Sequence, residues 1–100
     1  MAYAVEYDAE ALDDLDEVGR FWANRILDAI EKHLPREPAR ASRRKKLLEG
    51  VQPPWQQIGP VWQLSVGEYR VFYDVIEGER LVVVRAVRHK PPHKETDDVL

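Results

Sequence analysis

Cysteine is absent from the 100 residues. Disulfide staples, Cys-ligated zinc and thiol nucleophiles are therefore excluded together. Long apolar runs are missing as well: Leu81-Val82-Val83-Val84 is among the longest, far short of the ~20 residues a membrane helix requires. The opening stretch carries Glu6 and Asp8 and does not look like a signal peptide. There is no Gly-rich phosphate loop, no carboxylate pair matched to a histidine and no internal repeat. Metal, hydrolase-triad and nucleotide sites thus have no foundation, and neither a metal nor a cofactor is expected. The expectation is one small cytoplasmic domain spanning residues 1–100, without membrane contact.

What the chain does have is charge, unevenly placed. Charged residues make up 33% and apolar ones 44%, enough apolar content for a core. The formal charge is −3, yet Met1–Leu34 carries nine acidic residues against three basic, whereas Pro35–Leu100 carries nine acidic against twelve basic. Arg36, Arg40, Arg43, Arg44, Lys45 and Lys46 meet only Glu37 within their stretch. Such polarity lets one face hold a polyanion while the whole chain stays acidic; a solvated helix face would look the same.

Ala2–Tyr7 alternates and reads as a first strand, with Asp8 as the N-cap of a following helix. Leu12, Leu15, Val18, Trp22, Ile26, Ile30 and Leu34 recur at three- and four-residue steps, a helical stripe that Gly19 divides in two and that Pro35 and Pro38 end. Arg40–Leu48 is expected to form a short basic helix stopped by Gly50, and Gln52–Pro60 a loop with Trp55 as a plug over the core. Strands follow at Val61–Val66, Tyr69–Ile76 and Arg80–Arg88, joined by turns at Gly67-Glu68 and Glu77-Gly78-Glu79, and His89–Leu100 is a polar tail. The fold class is α+β: an N-terminal strand and a helical hairpin packed on a small antiparallel sheet.

Strand parity sorts the side chains. A register whose paired positions sum to 155 or 157 places Arg70 and Phe72 on one face with Val83, Arg85, Val87 and His89. Val71, Tyr73, Val75, Val82, Val84 and Ala86 then face the helices. An even-sum register instead sets Arg88 beside Arg70, and two basic residues converge on the non-helical face either way. Arg70, Arg85, His89 and Lys90, next to the run Arg43, Arg44, Lys45 and Lys46, suit a phosphate backbone, since arginine forks match phosphate oxygens. A cross-strand ion pair of Arg70 with Asp74 or Glu68 is the alternative. His33, late in a helix, and His93, in the tail, need no functional role.

Three segments carry a family resemblance: Ala2-Tyr3-Ala4-Val5-Glu6-Tyr7-Asp8 with Ala11, Leu12 and Leu15; Lys46-Leu47-Leu48-Glu49-Gly50; and above all Val66-Gly67-Glu68-Tyr69-Arg70-Val71-Phe72-Tyr73. In this order they resemble the RelE/ParE toxin superfamily of type II toxin–antitoxin modules, closer to the RelE type. The resemblance implies a metal-independent endoribonuclease that cleaves messenger RNA in the ribosomal A site. It gives the catalytic set as Arg70, His89, Lys90 and Arg88, with the ribosome, mRNA and a cognate antitoxin as partners. Gln63 and Ser65 stand where the RelE type carries lysines, and the tail lacks its tyrosine. The resemblance therefore also admits a ParE-like inhibitor that binds DNA gyrase, or a non-toxic member acting as an interaction domain.

Overall fold

The computed structural model describes residues 2–56 and 58–100, with the backbone alone at residue 97. Met1, and Gln57 within the expected loop, lie outside the described residues. Strand β1 (Ala4–Tyr7) leads into helices α1 (Ala9–Glu17) and α2 (Arg20–His33). Strands β2 (Lys45–Leu48), β3 (Val61–Val66), β4 (Tyr69–Ile76) and β5 (Leu81–His89) follow, then a one-turn helix α3 (Thr96–Val99). The sheet runs β1-β5-β4-β3-β2. Only β1 is parallel to its neighbour, pairing Ala4–Tyr7 with Leu81–Val84, so the sheet is mixed.

The helical stripe divides at Gly19, whose φ of 87° is open to glycine at little cost. Ala11, Leu15, Ile26, Ile30 and Leu34 pack against Trp62, Leu64, Val71, Tyr73, Val82, Val84 and Val87 to form the main core. Asp8 occupies the N-cap position of α1, but its carboxylate makes no capping bond and reaches Arg85 instead. Gly67, in the β3–β4 turn at φ 58°, lies under the Trp22 indole; a Cβ there would stand 3.2 Å from that ring.

The expected basic helix at Arg40–Leu48 is not formed. Lys45–Leu48 is instead an edge strand paired with Val61–Leu64, which supplies its backbone partners. Residues 34–44 are held as a turn by contacts outside the segment: the Tyr73 hydroxyl donates to the Pro38 carbonyl at 2.8 Å, and Lys45 Nζ donates to the carbonyls of His33 and Glu37.

A second departure sets the site. Near the turn, Tyr73, Asp74, Val75 and Ile76 pair with Val84, Val83, Val82 and Leu81, the odd-sum register; beyond it, Tyr69, Arg70, Val71 and Phe72 pair with His89, Arg88, Val87 and Ala86, the even-sum one. Arg85 is the extra residue of the bulge that joins them. Past the bulge the faces exchange, so Val87 enters the helix-side core and Ala86 moves to the other side.

That other side is covered in its middle. Leu48, Val61, Phe72 and Ala86 form a second cluster roofed by Val51, Trp55, Val99 and Leu100. Trp55 thus acts as a plug over this face, its ring 5.8 Å from that of Phe72. The end of the chain, expected as a purely polar tail, folds back through α3. Among the described residues no helix is long and apolar enough to cross a membrane.

Candidate nucleic-acid interface

Where β3, β4 and β5 run past the second cluster, their side chains form an open row. Arg88 stands opposite Arg70, and Arg70 opposite Ser65. The next row holds Ala86, Phe72, Gln63 and Lys46 in register. Arg70 and Arg88 are therefore adjacent on the non-helical face, the arrangement the even-sum register gives. Like charges directly opposite repel by a fraction of a kcal/mol or more. Here each guanidinium has its own tether.

Arg70 Nη1 donates to the carbonyls of Gly67 and Tyr69 at 2.8 and 2.9 Å. Neither Asp74 nor Glu68 pairs with it in this structure; Asp74 meets Arg85 and Glu68 meets His89. Arg88 reaches around the sheet edge to α1, with Nη2 on Glu10 at 2.8 Å and Nη1 on Asp14. The Asp14 carboxylate also accepts the Val87 N–H at 2.9 Å, so α1 completes the edge of β5 beyond the reach of β1. Nothing in the sequence marks Asp14 for this role beyond the acidic excess of the N-terminal third.

Arg85 is held, mostly covered, in the bulge between two carboxylates: Nη1 to Asp8 at 2.8 Å, and both Nε and Nη2 to the fully buried Asp74 at 2.9 Å. Burial alone would lower its pKa, but the hydrogen bonds and charges of Asp8 and Asp74 outweigh that and raise it. Arg85 is thus a structural cation in this arrangement.

The bulge corrects the expected placement of His89. It lies opposite Tyr69 and alternates to the face away from Arg70, its ring 5.1 Å from that of Tyr69 and its Nε2 2.9 Å from Glu68 Oε1. Lys90 follows the strand, its N–H on the Glu68 carbonyl at 2.6 Å. On the side of His89 an open cleft of about 700 Å³ is lined by Glu10, Asp13, Asp14 and Glu17 as well as Tyr69 and Arg88. Its carboxylates repel a polyanion; the Arg70 side attracts one.

Of the basic run, Arg43, Arg44 and Lys46 are exposed, while Lys45 is buried. Burial lowers the Lys45 pKa more than Glu37 restores it. Gln63, only 6% exposed, accepts a hydrogen bond from Thr96 Oγ1 at 3.3 Å and so sits beneath the folded-back terminus. Among the described residues, no group of three or more His, Asp or Glu side chains is placed to hold a metal ion.

The helical hairpin on a mixed sheet has counterparts among known proteins. The model of the ParE toxin of type II toxin–antitoxin systems matches residues 5–90, and the chain belongs to this family, within the RelE/ParE toxin superfamily. No curated protein matches the sequence. The archaeal RelE–RelB complex from Pyrococcus horikoshii contains a similar chain at 21% identity, with 95% of this chain and 100% of that one covered and a TM-score of 0.69. The Mycobacterium tuberculosis toxin–antitoxin complex RelBE2 gives 21% identity, 90% and 100% coverage and a TM-score of 0.65. Free E. coli RelE, as a double arginine-to-alanine mutant, gives 24%, 90% and 84%, and 0.64. These likenesses support the α+β architecture of two helices on a five-stranded mixed sheet.

Proposed function

We propose that this toxin arrests growth by cleaving ribosome-bound messenger RNA, with Arg70 binding the phosphate under attack. A ribose 2′-hydroxyl loses its proton to a base and attacks the neighbouring phosphate in line. The P–O5′ bond breaks, leaving a 2′,3′-cyclic phosphate and a 5′-oxygen that takes up a proton, and the extra negative charge that develops at the phosphate must be neutralised. The observation that carries this reading is Arg70 in the non-helical row with Ser65, held by backbone carbonyls and by no carboxylate among the described residues. Both hydrogen bonds of Arg70 use Nη1, which leaves Nε and Nη2 as a fork for phosphate oxygens. Lys90 follows at the end of β5, Ser65 extends the Arg70 row, and Lys46 stands at the edge of the next row, while Arg88 is held by Glu10 and Asp14. His89 and Arg85 contribute through the fold in this reading: the first at the far face, the second inside the bulge.

A second reading, inhibition of DNA gyrase by binding alone, draws support from the placement of His89 and Gln63. His89 is turned away from Arg70 onto Glu68, and Gln63 is an amide, which cannot act as acid or base. Purified toxin added in parallel to a reconstituted translation system and to a gyrase supercoiling assay separates the two. Blocked translation with normal supercoiling supports RNA cleavage, and the reverse supports gyrase inhibition.

A cognate antitoxin follows from membership in the family, and two of the similar chains were solved in complexes with antitoxins. β1 and β2 end the sheet, and β1 offers an edge to an added strand, while the basic row calls for an acidic cover. An ordered-on-binding segment that masks Arg70 buries more than ~1,200 Å². Co-expression of the adjacent small open reading frame should rescue growth and yield a co-purifying complex.

A further inference from the structure

The turn between α2 and β2 gathers the most basic stretch of the chain around an open cleft of about 500 Å³. Its walls carry His33, Arg40, Arg43, Arg44 and Lys45, with Glu37 as the one carboxylate among the described residues that line it. That carboxylate is already engaged by Arg40 at 3.1 Å. Lys45 is anchored there by its bonds to the His33 and Glu37 carbonyls, which occupy two of the three ammonium donors. Ser42 Oγ accepts the N–H groups of Arg44 and Lys45 and fixes the turn that presents Arg43 and Arg44. The cleft is connected to the Arg70 row: Ser65, the register partner of Arg70, donates its N–H to the Arg44 carbonyl at 2.9 Å.

We propose that this cleft is a second phosphate site, which holds the backbone of the same RNA where it passes around the β2 edge from the Arg70 face. The proposal rests on the RNA reading above. Arginine forks suit a diester oxygen pair, and the engaged Glu37 does not compete for them.

His33 is the natural reporter. Burial first, then the charges of Arg44, Lys32 and Lys45, hold its pKa below the ordinary value, while the Glu37–Arg40 pair faces it from the turn. A phosphate in the cleft reverses the sign of that field and raises it. The test is an NMR titration of the His33 imidazole, with the folded protein free and bound to a 2′-O-methyl decaribonucleotide that cannot be cleaved. An upward shift on binding, retained in Arg70→Ala, is expected. Arg43→Ala, at an exposed position, should weaken RNA binding several-fold at low salt and reduce the salt slope by about one. Absence of RNA binding overturns the proposal, as does binding that leaves the His33 titration and the Arg43 salt slope unchanged. A poly-glutamate peptide that raises the His33 pKa where RNA does not would also overturn it, in favour of an acidic protein partner. RNA that binds and shifts His33, with ribosome-bound message left intact, upholds this site and rejects the nuclease reading alone.

Discussion

Arg70 and Arg88 are direct register partners across β4 and β5, yet their guanidinium groups turn to different tethers. The pairing exists because Arg85 bulges out of β5 and shifts the register by one residue. It persists because each arginine is tethered elsewhere, Arg70 to the carbonyls of its own turn and Arg88 to carboxylates of α1. Arg70, bonded to carbonyls and to no carboxylate among the described residues, is therefore the guanidinium of the pair left to an anionic ligand.

Asp14 links helix and site. Asp14→Ala removes the acceptor of the Val87 N–H and a partner of Arg88 together. A loss of about 1–3 kcal/mol is expected in urea unfolding, because a partly buried donor is left unsatisfied. Asp14→Asn, which keeps an acceptor oxygen, should recover part of it; equal loss in both variants would locate the effect in the charge.

Arg85 should read out as stability. With Asp74 fully buried, Arg85→Ala leaves an interior carboxylate without its guanidinium, a change on the order of 3–5 kcal/mol. Thermal unfolding of the variant should show a large fall in Tm. A fully stable Arg85→Ala with weakened RNA affinity would instead return this residue to the binding surface.

Gly67 is constrained twice, by a positive φ and by Trp22. Gly67→Ala is expected to cost about 1–2 kcal/mol from the left-handed backbone alone, with the indole displaced in addition. The change in Trp fluorescence on substitution checks the second component.

Protonation of His33 opposes folding. Its pKa is lowered in the folded chain by burial and then by Arg44, Lys32 and Lys45, so the unfolded chain takes up the proton first as pH falls. Stability is greatest above the ordinary histidine value of ~6.5 and declines as pH drops below it toward the folded-state value. Urea midpoints measured between neutral and mildly acidic pH should fall less steeply for His33→Gln than for the parent chain.

Much of the fold is legible in the sequence because its strands alternate and its helical stripe keeps a regular spacing. Val71, Tyr73, Val75, Val82 and Val84 face the helices as their parity requires. The bulge at Arg85 is not legible: Val82-Val83-Val84-Arg85-Ala86-Val87 offers no glycine or break, and the extra residue is held by Asp8 and Asp74, distant in sequence. The pattern therefore misplaces Ala86, Val87 and His89. Strand β2 is hidden for a related reason. Lys-Lys-Leu-Leu favours a helix locally, and only pairing with β3 and the burial of Lys45 under the end of α2 make it a strand. In the site, Arg70 is legible from its motif, whereas the anchoring of Arg88 by Glu10 and Asp14 requires the tertiary structure.

The central claim is that Arg70 acts on a phosphate of ribosome-bound message. Mapping the 5′ ends of a defined mRNA by primer extension, in a reconstituted translation system with and without the toxin, tests it most directly. The account predicts new ends within codons at the ribosomal A site, reduced by a factor on the order of 10²–10³ in rate for a folded Arg70→Ala variant. An intact message at toxin levels that stop growth, or unchanged cleavage by Arg70→Ala, would contradict it.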